Sequence, residues 1–110
     1  MSFSGDIKKL AGFKYVTTGD GKKYDVDDLV LLITNSRDKK EIGMAVTLFL
    51  AVAKVSLKKG KEKEAQALMA GIMHLVSKRN DDVFNLEDVR ELIVNADLKD
   101  AADKISGTPL

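Results

Sequence analysis

No cysteine occurs in the 110 residues, and there is one histidine, one proline and no tryptophan. Without thiols the chain can form no disulfide, hold no thiolate zinc site and offer no thiol nucleophile. The single imidazole, His74, cannot build a His-rich metal centre, and no triad or ligand set assembles around it from the sequence. It reads as a packing or surface residue. Charge of one sign is also lacking. Eighteen Lys and Arg face 17 Asp and Glu, and the net charge of +1 supplies no overall field to steer nucleic acid or anionic lipid. Long apolar runs are missing as well. The most apolar stretch, Ile42 to Ala53, includes Gly43 and Thr47 and falls short of the roughly 18 to 20 residues a bilayer demands. Met1 to Phe13 has no apolar core behind a basic start and does not read as a signal peptide. The expectation is a cytoplasmic protein without membrane association, a default that leaves packaging in a virion or export by a dedicated machine open.

What the chain does have is 45% hydrophobic and 32% charged residues, a balance that folds. Its length suits one core, so residues 1–110 are expected to form a single small helical domain. Ser4 can cap a first helix with Ile7, Leu10 and Ala11 on one face. The run Phe13 to Thr17 ahead of Asp20-Gly21 allows two readings, a helix followed by a loop or a short β-hairpin near 15–24. The first is favoured, because an isolated hairpin is marginal. Asp25 caps the next helix, with Tyr24 and Leu29 placed as a hydrophobic staple and Val26, Leu29, Leu32 and Ile33 on its apolar face. Ser36 can cap a long helix from about 37 to 58. Its polar stripe, Lys40, Thr47, Lys54 and Lys58, is narrow, and Ile42, Val46, Phe49, Leu50, Val52, Ala53 and Val55 cover most of the rest. That helix is taken as the centre of an all-α fold of five or six helices. A fourth helix spans about Glu62 to Lys78. A fifth, capped by Asn85 and stapled by Phe84 and Val89, is expected to bury Leu86, Val89, Leu92 and Ile93, and a short terminal helix carries Leu98, Ala101, Ala102 and Ile105.

Residues 24–35 echo residues 84–95. Four of the twelve positions are identical and five more are close substitutions. The pattern suggests two related helix-loop-helix units, although any two well-capped amphipathic helices share part of it. The acids Asp20, Asp25, Asp28, Asp81, Asp82 and Glu87 cluster at these helix starts and are the only groups dense enough to be candidate ligands of a hard cation. Their spacing is not that of an EF-hand loop, and helix N-termini attract acids without any metal. Asp20-Gly21 before Asp25 to Asp28, and Asp81-Asp82 before Glu87-Asp88, together about a fifth of the chain, resemble the paired helical units of the tellurite-resistance TerB-like proteins. The two loops differ in length and the second lacks the glycine. The resemblance implies an alternative function, a divalent-cation-binding stress or regulatory domain.

Lys54, Lys58, Lys59, Lys61 and Lys63, set against Glu62 alone, form a local basic patch, whereas Asn80 to Asp103 holds eight acids against Arg90 and Lys99. The patch lacks interleaved aromatics and phosphate-loop glycines, which makes nucleic acid the weaker alternative partner. No pattern reveals a pocket that would tune paired carboxylates for acid-base work, so the chain is read as no enzyme and as needing no cofactor. A helix this apolar in a chain this short is expected to leave apolar surface uncovered, and such surface marks a protein partner or a homodimer seam. Met44, Leu48, Met69 and Met73 are the expected seam residues, because methionine adapts to interfaces. The function this favours is a non-catalytic adaptor that acts through helical surfaces and self-associates.

Overall fold

The computed structural model describes residues 15–17, 21–79 and 81–104. The expected first helix, with Ser4, Ile7, Leu10 and Ala11, lies outside them, as do Asp20 and Ile105. The described chain runs through strand β1 (Tyr15–Thr17), strand β2 (Lys23–Asp25) and helices α1 (Val26–Asn35), α2 (Lys39–Lys58), α3 (Glu62–Ser77), α4 (Leu86–Asn95) and α5 (Lys99–Asp103). The fold is mostly helical, as the sequence indicates, with one small two-stranded sheet.

The segment before α1 takes the hairpin reading rather than the favoured helix and loop. β1 and β2 pair antiparallel, with Tyr15 opposite Asp25, Val16 opposite Tyr24 and Thr17 opposite Lys23. Alternation along β1 turns Val16 into the core while Tyr15 and Thr17 face out, and β1 packs on α2. That support removes the objection that an isolated hairpin is marginal. Across the outer face, the Lys23 ammonium sits 4.0 Å from the centre of the Tyr15 ring.

Asp25 ends β2 and at the same time caps α1, its Oδ1 accepting from the Asp27 amide at 2.8 Å. The cap of α2 is Asp38 and not Ser36: Asp38 Oδ1 accepts from the Lys40 amide at 2.9 Å, while Ser36 Oγ accepts from the Asp38 amide at 3.1 Å and so shapes the turn one step earlier. α2 ends in a Schellman turn. The amides of Lys61 and Gly60 donate to the carbonyls of Ser56 and Leu57, and Gly60 takes the left-handed φ of 78° that this closure requires. At α4, Asn85 and Asp88 form a reciprocal capping box with distances of 3.1 and 3.0 Å.

The core is one cluster centred on Phe49, Leu29, Ile33, Ile42, Leu50, Met69, Ile72, Ile93 and Leu98. α2 touches β1, α1, α3 and α4, but α3 is as central, packing on α1, α2, α4 and α5. The expected single hub is therefore an α2–α3 pair. Leu86, expected in the core, is 43% exposed: it is the first residue of α4, on the far side of the cap from the buried Phe84. The echoed segments become two ten-residue helices, each beginning directly after its Asp or Asn cap. Leu29 and Ile33 are buried in one, and their counterparts Val89 and Ile93 in the other.

Arg79 joins the two halves. Its side chain is only 2% exposed. Nη1 donates to the Ile33 carbonyl at 2.7 Å and Nη2 to the Ser36 carbonyl at 2.6 Å, at the end of α1 where carbonyls lack helical partners. Nε and Nη2 also grip both carboxylate oxygens of Asp81, at 3.2 and 2.8 Å.

Candidate protein-docking surface

α2 buries Ile42, Ala45, Val46, Phe49, Leu50, Ala53 and Ser56. The opposite side of the helix is not uniformly polar. Met44, Leu48, Ala51 and Val55 follow one another at spacings of four, three and four residues, which places them on one line along the cylinder about 16 Å long. Met44 is 37% and Val55 51% exposed; Ala51 is exposed and Leu48 half-buried. An apolar ridge thus runs along the outside of the longest described helix. Thr47 beside it is the polar member.

At its C-terminal end the ridge runs into an open groove between β1, α2 and the start of α3. Tyr15, Val16, Val52, Val55 and Ser56 form its walls, and Lys59, Lys61 and Glu64 stand at its rim. Tyr15 is 47% exposed. The hairpin supplies Tyr15 because the pleat sends Val16 inward, and the Schellman turn at Gly60 brings Lys59 and Lys61 back over the end of α2. Among the described residues, Lys40, Lys54, Lys58, Lys59, Lys61 and Lys63 form no ion pair. Glu62, the one acid within that run, is turned to Lys104 at 3.7 Å and accepts from Gln66. The positive charge at the end of the ridge is therefore offset only in part within the described chain, by Glu64 at the rim. At the other end of the ridge lie Lys40 and Glu41, the latter accepting from Ser36 Oγ at 3.4 Å.

Of the four residues expected to form a seam, Met44 and Leu48 lie on this ridge. Met69 and Met73 do not. They are buried among the inward side chains of α3, so no partner can reach them without opening the core. Their spacing fits the core face of α3, beside Leu68, Ile72 and Val76, and that periodicity outweighs methionine's general fondness for interfaces. Val55 and Tyr15 were missed. Val55 could have been found by extending the Met44, Leu48, Ala51 line by one more turn; Tyr15 could not, since its place depends on the hairpin docking on α2. Leu31 on α1 and Leu86 and Val94 on α4 are also exposed. Leu86 and Val94 lie about 80° apart around their helix and form no ridge.

The candidate cation ligands are dispersed into local structural tasks. Asp25 caps α1, and Asp28 and Asp82 point to solvent. Glu87 pairs with Arg90 at 3.5 Å. Asp81 is held by Arg79 and accepts from the Val83 amide at 3.2 Å. Its carboxyl lies below the usual carboxylate value of 3.8, chiefly through the Arg79 hydrogen bond, against the opposing effect of burial and with help from the Val83 amide and the charges of Arg79 and Arg37. Among the described residues no three Asp, Glu or His side chains converge on a point where a metal could sit. His74 is exposed near the end of α3. No helix among the described residues is long and apolar enough to cross a membrane.

Comparison with known proteins adds no relative: the chain matches no protein-family model, no curated protein and no solved structure. The likeness to the TerB-like proteins thus rests on the two turn-and-acid segments alone.

Proposed function

We propose that the protein is a non-catalytic adaptor that binds another protein chain through the outward face of α2. The observation that carries this reading is the Met44, Leu48, Ala51, Val55 ridge, which leaves apolar surface in water on the helix whose other side is buried in the core. A solvated helix face gains no apolar burial from such residues, whereas an apolar strip beside a groove, bordered by polar groups, matches the centre-and-rim arrangement of protein interfaces. Rigidity favours the same reading, because the ridge stands on a capped twenty-residue helix and is presented without reordering.

The test is a single substitution. Val55→Glu should leave the circular dichroism spectrum and the urea midpoint of the isolated chain unchanged, since the side chain already faces water. It should also abolish retention of proteins that the wild-type chain retains from an extract of its host. Retention that is identical for the wild-type chain and for Val55→Glu would refute the proposal.

A further inference from the structure

We infer that the occupant of the α2 ridge is an acidic amphipathic helix of a partner protein, its apolar stripe seated on Met44, Leu48, Ala51 and Val55 and its carboxylates meeting Lys58, Lys59 and Lys61. The inference rests on the adaptor reading and specifies its ligand. The ridge is straight and about three helical turns long, which is the footprint of a helix with anchors at i, i+4, i+7 and i+11. Its groove end, open between Tyr15, Val52 and Val55, has room for one larger apolar side chain. Immediately around that end stand Lys58, Lys59 and Lys61, all exposed and none in an ion pair among the described residues, while Glu62 is engaged by Lys104 and Gln66. Among the described residues only Glu64 offsets them at the rim. An apolar anchor flanked by Asp or Glu therefore satisfies both halves of the surface, and like charge rejects a basic helix.

A second copy of the chain fits less well. Turning the ridge on itself about its midpoint sets Met44 against Val55 and Leu48 against Ala51, but it also brings Lys40 of each copy opposite Lys59 of the other and Glu41 opposite Lys58, leaving an excess of positive charge at both ends. Nucleic acid fits less well too. It would meet the lysines and leave the ridge bare, and Tyr15, the one exposed aromatic there among the described residues, already has Lys23 over its ring.

The experiment is a display selection of random peptides of about sixteen residues, long enough for a helix over the whole ridge, on the immobilised full chain, with each recovered peptide re-measured against Val55→Glu and against the double variant Lys58→Glu, Lys59→Glu. Recovered peptides should carry apolar residues at three- and four-residue spacing with acids at one end. Their affinity should fall about tenfold or more in either variant and should weaken with added salt. Peptides that require Val55 but are neutral or basic would overturn the acidic partner and leave the adaptor reading standing. If no recovered peptide depends on Val55, both fall. Tighter binding of a single-stranded DNA of about twenty nucleotides, unaffected by Val55→Glu, would replace the inference with a nucleic-acid site.

Discussion

Asp97 closes α4 in the left-handed region, at φ 60°, and is the one described residue other than glycine with a positive φ. Its amide and that of Leu98 donate to the carbonyls of Val94 and Ile93, the same Schellman closure that Gly60 makes after α2. An aspartate tolerates this conformation at some steric cost, and glycine does not incur it. Asp97→Gly should therefore raise stability by roughly 0.5 to 1 kcal/mol, seen as a higher urea midpoint at constant slope. Arg79 is the opposite case, a single residue on which several groups depend. Arg79→Ala removes the donors from the carbonyls of Ile33 and of Ser36, which caps α1, leaves Asp81 without its cation, and should destabilise by about 2 to 3 kcal/mol. Because the folded Asp81 carboxyl titrates below its ordinary value, the stability it contributes is fully present above the unfolded value near 3.8 and is lost as pH falls through the depressed folded value. Asp81→Asn should remove that part of the acid limb, flattening the loss of stability below about pH 4, as measured by urea unfolding across the acid range.

At the scale of the element, α2 carries Gly43 within its span, where a Cβ would meet only the Phe84 ring, at 4.0 Å. That is ordinary contact, so Gly43→Ala should stabilise by about 0.5 to 1 kcal/mol through the helix backbone, again read from the urea midpoint. The helix starts at Asp25 and Asn85 were legible in the sequence because a cap is a local device, acting on amides two or three residues away. Ser36 and Asp38 were not separable in the same manner. Both are short acceptors, and which one caps depends on where the backbone turns. The hairpin was legible only as one of two options, since what decides it is the burial of Val16 against α2, a contact distant in sequence. The candidate site divides along the same line. Met44 and Leu48 could be named from the excess apolarity of their helix, and the lysines from their clustering. Tyr15 and the groove exist only once β1 is placed, and the exclusion of Met69 and Met73 follows from which face of α3 turns inward.

Across the whole molecule, the two sides of α2 do different work. Phe49 is fully buried at the meeting of the helices, and Phe49→Ala should cost about 3 to 5 kcal/mol, whereas substitution at Val55, on the far side of the same rod, should leave stability within about 0.5 kcal/mol. A comparison of the two in one unfolding series checks that the ridge is surplus to the fold. The three methionines of the helices carry this division into their chemistry. Met44 stands in water while Met69 and Met73 are sealed inside. Dilute hydrogen peroxide should therefore convert Met44 to its sulfoxide well before the other two, as peptide mass mapping would reveal. The added oxygen makes one end of the oily strip polar without loosening the globule, so under the proposed docking role oxidant stress would weaken a partner's hold while the protein itself stays intact, and a methionine sulfoxide reductase could restore the grip.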